Sequence, residues 1–184
     1  MGADVQSILP SQGNSSKRVL VLEQLQGSIS FLMVGTLEPR KAYEEVLEAF
    51  ERLWQEGLPL NLVLVGKQGW MVEELVEQLR SHHELNRRLF WLEGISDEYL
   101  EQVYLVCTCL IAASYGEGFG LPLIEAAQHK LPIIARDIPV FREVAGENAF
   151  FFKSKLFKPQ ISHSTCINWS GVFHVSYPRI RISR

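Results

Sequence analysis

Residues 30–66 read SFLMVGTLEPRKAYEEVLEAFERLWQEGLPLNLVLVG, and their pattern decides the fold. Ser30-Phe31-Leu32-Met33-Val34 is a short apolar run that stops at Gly35, which is the signature of a strand. Tyr43, Val46, Leu47, Phe50, Leu53 and Trp54 then recur at helical spacing along one face, and Gly57 ends that helix. Leu60 to Val65, LNLVLV, is a second buried strand. A strand, a helix and another strand in immediate succession make the crossover unit of a parallel sheet.

The alternation continues outward from this unit. After Gly66 and Gly69 comes a helix carrying Met71, Val72, Leu75, Val76 and Leu79, and then a third strand from Leu89 to Leu92. A short helix begins near Ser96 or Asp97, either of which could cap it, and leads to a strand around Cys109 to Ala113. The loop Ser114 to Phe119 is followed by a helix over Leu121 to His129 and a strand over Pro132 to Ala135. Pro139 suits the first turn of another short helix, which Gly146 ends, and Ala149 to Phe152 forms one more strand. Six strands separated by five helical segments predict an α/β fold: a doubly wound, Rossmann-like parallel sheet. Such sheets bind ligands beyond the carboxyl ends of their strands.

With 184 residues, 47% of them hydrophobic, the chain has room for one sizeable core and not for a second complete domain. No apolar run approaches the ~18 residues of a membrane span, and MGADVQSILPSQG lacks the order of a signal peptide. A soluble, cytoplasmic protein is therefore expected. Cys107, Cys109 and Cys166 make an odd count, and the first two sit in an apolar stretch, which argues against a disulfide framework.

Charge divides the chain. Residues 1–152 hold 12 Lys/Arg against 21 Asp/Glu, whereas residues 153–184 hold 6 Lys/Arg and no acidic residue. Three segments follow: a linker and lead-in helix over 1–28, helical around Lys17 to Leu25; a ligand-binding domain over 29–152; and an atypical basic tail over 153–184. The tail has no sustained helical period, as expected of a truncated or frame-shifted gene product. Its rival reading is a basic arm held at an anionic membrane or nucleic acid.

Two strand-end loops hold the candidate chemistry. Gly35-Thr36-Leu37-Glu38-Pro39-Arg40-Lys41 runs into the first helix, and two adjacent cations at a helix start suit a diphosphate. A solvated turn with incidental charge is the plainer alternative. In Glu117-Gly118-Phe119-Gly120-Leu121-Pro122-Leu123-Ile124-Glu125, Gly118 and Gly120 let backbone approach a ligand closely, and Pro122 suits a first helical turn. Glu117 and Glu125 stand far enough apart to grip different hydroxyls of one extended ligand; surface charge is the alternative here. Tyr115 and Phe119 are the aromatics of that loop, while Phe50 and Trp54 read as core. No histidine has metal-ligand spacing: His82 and His83 sit side by side on an expected surface helix, and His129 ends another. Gly66-Lys67-Gln68-Gly69 lacks P-loop spacing, and no G-x-G-x-x-G follows the first strand.

GEGFGLPLIEAAQHKLPIIARDIPVFREVAGENAFFF, together with FLMVGTLEPRK, resembles glycosyltransferase family 4, retaining enzymes of GT-B architecture, and among them the mannosyltransferases. The resemblance covers about residues 31–152, and its E-x7-E element matches at Glu117 and Glu125. It implies the C-terminal, nucleotide-sugar-binding half of a GT-B enzyme. Arg40 and Lys41 would bind the donor diphosphate, Glu117 the transferred sugar and Glu125 the ribose. Gly35 and Thr36, with the backbone of Gly118, Phe119, Gly120 and Leu121, would border sugar and phosphate, and Gly94 and Ile95 the base. Thr36 departs from the family, where many members carry an arginine after the glycine.

The resemblance further implies a hexosyl transfer, with GDP-mannose as first trial, in polysaccharide synthesis. No metal or other cofactor is expected, since basic residues replace a divalent cation. The isolated chain is expected to be inactive without an acceptor domain, which a partner chain could supply. Peripheral contact with the inner membrane face is a candidate, and a nucleic-acid partner is not expected. A non-catalytic nucleotide-sugar-binding or scaffold module is the alternative, as is a subunit of a split transferase.

Overall fold

The computed structural model describes residues 12–153. Helix α1 (Gln12–Gln26) leads into β1 (Ile29–Val34), α2 (Tyr43–Gln55), β2 (Leu60–Val65), α3 (Glu73–Ser81) and β3 (Leu89–Leu92). Then follow α4 (Asp97–Val106), β4 (Cys109–Ala112), α5 (Leu121–Gln128), β5 (Ile133–Arg136), α6 (Pro139–Ala145) and β6 (Phe150–Phe152). The strands pair in parallel in the order β3-β2-β1-β4-β5-β6. Winding starts at β1, runs to one edge, crosses back and fills the other edge. The expected α/β fold with a doubly wound, Rossmann-like sheet is therefore present, in the strand order typical of that fold.

Side chains alternate across each strand, so the apolar runs supply two layers at once. Phe31, Met33, Leu62, Leu64 and Ile111 enter the layer under α2 and α3. Leu32, Val63, Val65, Leu110 and Ala135 enter the opposite layer, under α1, α4, α5 and α6. Phe50 packs edge-on against Phe31 and Trp54, with ring centroids 5.4 and 5.8 Å apart. The indole N–H of Trp54 donates to the Leu60 carbonyl at 2.7 Å, so its burial leaves no donor unpaired. Of the two candidate caps for α4 it is Ser96 that serves, accepting from the Tyr99 N–H at 3.3 Å.

Four local expectations are corrected. Helix α1 starts at Gln12, earlier than the apolar spacing suggested; it is tied down by buried Leu25 and by the Tyr99 hydroxyl, which donates to the Arg18 carbonyl at 2.8 Å. Met71 and Val72 precede α3: Gly69 N–H donates to the Leu37 carbonyl, Leu37 bridges Gln68, and the chain turns at exposed Met71 with φ 52° before the helix begins. His82 and His83 follow α3. His82 is buried at its side chain, with Nε2 3.1 Å from Glu51 Oε1 and Nδ1 accepting from the Glu84 N–H; only His83 is exposed. Strand β5 lies one residue later than expected, starting after Pro132 and running over Ile133–Arg136.

Cys107 and Cys109 are buried free thiols, and burial pushes Cys107 up to about 12. Cys166 and the basic tail beyond Lys153 lie outside the described residues. Among the described residues no helix is long and apolar enough to cross a membrane.

Candidate functional site

Because β1 lies between β2 and β4, the loops leaving β1 and β4 are neighbours where the winding changes direction. Open α/β sheets bind their ligands at this switch point, on the carboxyl side.

The β1 loop is built around close backbone approach. Gly35 has φ 138°, and its carbonyl accepts the buried Tyr43 hydroxyl at 2.6 Å. A Cβ at Gly35 would stand 3.2 Å from Lys41 Nζ, so the glycine leaves the space over which the ammonium lies. Thr36 is exposed beside it. Pro39–Lys41 forms one 3-10 turn, and Ala42, left-handed at φ 58°, separates it from α2. Arg40 and Lys41 thus stand just ahead of the helix, not within its first turn. The glycines of the β2 loop prop this arrangement: a Cβ at Gly66 would come 1.9 Å from the Gly35 carbonyl oxygen, and one at Gly69 2.3 Å from that of Leu37. Their spacing serves loop-to-loop contact, which answers why a glycine–lysine pair stands there without a P-loop.

The β4 loop is stitched to the β1 loop. The Tyr115 N–H donates to the Arg40 carbonyl at 2.8 Å, and Arg40 Nη1 donates to the Gly116 carbonyl at 3.0 Å. Lys41 Nζ meets Glu117 Oε2 at 2.6 Å, and Arg40 Nη1 meets Glu117 Oε1 at 3.3 Å. Glu117 also accepts from the Gly118 N–H at 3.2 Å and from Ser114 Oγ at 3.5 Å, while Arg40 Nε reaches Glu38 at 2.8 Å. The side chains of Lys41 and Glu117 are only 12% and 13% exposed, against 43% for Arg40. Burial alone would raise the Glu117 carboxyl, but Lys41, with help from the Gly118 N–H and Arg40, holds it below the usual carboxylate range. Arg40 is raised: burial works against its charge, and Glu117 and Glu38 outweigh burial. Beside the Lys41–Glu117 pair lies a cavity of about 20 Å³, room for a single water.

Glu125 belongs to a second centre. It projects from α5 toward α4, where the Tyr104 hydroxyl donates to its Oε2 at 2.7 Å. The Tyr104 ring stacks on His129 with centroids 5.1 Å apart and planes 7° from parallel. Between the two glutamates, Gly120 caps α5 at φ 75° with the Phe141 ring 3.4 Å from its would-be Cβ, and Phe119 and Leu121 are exposed. Gly94, with φ 58°, and half-buried Ile95 lie on the β3 loop. That loop is three strand positions from β4, or ~14 Å at the usual spacing. The structure therefore brings Arg40, Lys41 and Glu117 into contact, and sets Glu125, on α5 against Tyr104, and the Gly94-Ile95 loop apart from them.

One residue of this edge escaped the reading of the chain. Arg136, buried at the end of β5, donates through Nε to the Ala113 carbonyl at 2.6 Å and meets Glu45 of α2 at 2.8 Å. Its guanidinium lies 4.2 Å from the centre of the Tyr115 ring. It thereby braces the β4 loop against the helix that follows Arg40 and Lys41. The signal was a lone arginine ending the apolar run PIIAR at the carboxyl edge. Tyr104 left no comparable signal, since its partner stands 21 residues away.

Comparison with known proteins gives this geometry its relatives. Residues 22–162 match the family model described as glycosyl transferases group 1. The chain is 54% identical over 155 residues to the serotype-specific mannosyltransferase WbdA of Escherichia coli, covering 84% of this chain and 19% of that protein. It is 31% identical over 117 residues to O-antigen chain mannosyltransferase B of E. coli, covering 63% of this chain and 30% of the relative. The chain thus spans about a fifth to a third of the length of these relatives. Among solved structures, the C-terminal domain of the group 1 glycosyl transferase LpcC from Francisella tularensis superposes with a TM-score of 0.61 at 22% identity, covering 84% of this chain and 82% of that one. Anabaena HepE, solved with UDP and glucose, superposes with a TM-score of 0.60 at 22% identity over 78% of this chain and 39% of its own. By its family match and its sheet, this chain belongs to the group 1 glycosyl transferases and has the fold of their C-terminal, Rossmann-like GT-B domain.

Proposed function

We propose that this chain is the donor-binding domain of a retaining hexosyltransferase that moves a hexosyl group, mannosyl first among the candidates, from a nucleotide sugar to a glycan or lipid-linked acceptor. The observation that carries the reading is the meeting of Arg40 and Lys41 with Glu117 at the switch point of the sheet. Arg40 and Lys41 are balanced there by Glu38 and Glu117, so the cluster is neutral as it stands. An incoming diphosphate adds acceptor oxygens on the outer side, and Arg40, the more exposed cation, is the first free to turn toward them. Held in place, both cations stabilise the charge that grows on the diphosphate as it leaves. No divalent metal is needed for that role, and a chelator should leave nucleotide affinity unchanged.

Glu117 then faces the transferred sugar and Glu125 the ribose, with Gly35, Thr36 and the backbone from Gly118 to Leu121 bordering sugar and phosphate. Gly94 and Ile95 border the base. The span from the β4 loop to the β3 loop suits an extended nucleotide. The mannosyltransferase relatives support GDP-mannose as the first donor to try. The acceptor side comes from another domain, in the same polypeptide or in a partner chain, and work on a lipid-linked acceptor would bring the protein to the inner membrane face.

Calorimetry with GDP-mannose, GDP, UDP-glucose and UDP tests the reading. Binding of one nucleotide, tightened by its sugar, supports it; no binding of any of the four refutes it. Binding that survives unchanged in Lys41→Ala would instead move the nucleotide away from this cluster.

A further inference from the structure

Glu125 is a half-buried carboxylate with no ion-pair partner among the described residues. Its hydrogen-bond donor is a phenol, and that phenol takes only one oxygen, Oε2. No buried side-chain oxygen among the described residues lacks a partner, so Oε1, which has none, is open to solvent. Tyr104 itself is 2% exposed and is clamped twice by one helix. Glu125 takes its hydroxyl and His129, the residue that caps the C-terminus of α5, stacks on its ring. Burial, reinforced by the neighbouring Glu125 carboxylate, keeps the phenol protonated, so Tyr104 stays a donor across the neutral range. A carboxylate on a helix has free rotation about its last bond unless something holds it. Here the phenol holds it.

We infer that Tyr104 is a positioning residue: by fixing Oε2 of Glu125 it presents Oε1, with its lone pairs directed outward, to the ribose hydroxyls of the bound nucleotide. This rests on the reading of Glu125 as the ribose contact and adds to it the residue that makes the contact selective. Without the phenol, the carboxylate samples orientations that miss the ribose, and the site loses its preference for ribose while phosphate and base contacts persist.

The test measures, by calorimetry on the full chain, the affinities of GDP and UDP and of their 2′,3′-dideoxy analogues. Wild type is expected to prefer the ribose form by about tenfold or more, as for loss of a hydrogen bond to a charged group. Tyr104→Phe, which keeps the ring and its stacking, should reduce that preference to about two- or threefold, with the dideoxy affinities unmoved. In a Glu125→Ala background the same change should do nothing, because its effect passes through that carboxylate. A Tyr104→Phe variant that keeps the full ribose preference overturns the inference while leaving the ribose role of Glu125 intact. A wild type that does not distinguish ribose from dideoxyribose, or that binds neither nucleotide, overturns the Glu125 reading and this inference with it. A merely structural role for the phenol would weaken all four nucleotides together, and that pattern also sinks the idea.

Discussion

Glu117 and Glu125 bracket one turn of chain, yet the fold treats them oppositely. Glu117 is held by two cations, a backbone N–H and a hydroxyl, in a loop that Arg136 braces from below. Glu125 is held by one neutral phenol and keeps an oxygen free. The first carboxylate is locked into an ionic network; the second has a single hydrogen-bond donor and one oxygen left over. Sequence spacing makes the two glutamates look equivalent. Their surroundings separate a centre suited to charge from one suited to hydroxyl recognition.

The sharpest way to break this contrast is to remove the brace of the first centre. Arg136→Met leaves Glu45 a partly buried carboxylate without its cation and the Ala113 carbonyl without that donor. Losing one partner of a fully buried pair costs about 3–5 kcal/mol, and Glu45, 24% exposed, places this loss at the lower end, about 3 kcal/mol. Urea unfolding should show a loss of that size, whereas Tyr104→Phe, which strips the second centre of its donor but leaves Glu125 Oε2 near solvent, should cost about 1.5 kcal/mol, the low end for a hydrogen bond to a charged group. Equal losses at the two sites would mean that the ionic network is no more demanding than the phenol.

A second comparison sits at the level of binding. Lys41→Ala and Glu125→Ala should each weaken nucleotide affinity by about 1–3 kcal/mol, the range for a charged hydrogen bond. Glu117→Ala should not weaken nucleotide affinity, because it frees the cations that meet the diphosphate, and it should remove the gain in affinity that the sugar brings. Calorimetry with nucleotide and nucleotide sugar separates the three. If Glu117→Ala and Lys41→Ala behave alike toward the bare nucleotide, the division of labour within the cluster is wrong.

The strands were legible because a sheet covered on both faces needs apolar side chains at most positions, as in LNLVLV of β2 and IIA of β5. Elements bounded by local chemistry were legible too, as with Ser96 capping α4 and Gly146 ending α6. What failed was set by distant partners. Met71 fits a helical pattern, but the pairing of Leu37 with Gln68 forces a turn there. The cluster of Arg40, Lys41 and Glu117 could be guessed from a family pattern, but its contacts follow from the adjacency of β1 and β4, which spacing alone does not encode. Arg136 reaches Glu45 across 91 residues and Tyr104 reaches Glu125 across 21, separations over which no periodicity survives.

The smallest effect concerns pH. Glu117 is held below the usual carboxylate range: burial pulls it up, and Lys41, the Gly118 N–H and Arg40 pull it down by more. A carboxyl depressed on folding adds stability that is complete above its unfolded value, about pH 4.3, and is lost as pH falls through the folded value. Lowering the pH from 7 toward 3 should therefore weaken wild type more than Glu117→Gln, which has no such proton to take up. The difference should appear only below about pH 5. Urea midpoints of the two proteins across that range measure it. Parallel curves would mean that the cations around Glu117 are held by the fold and not by the carboxylate, and that the two glutamates differ less in their electrostatics than their contacts imply.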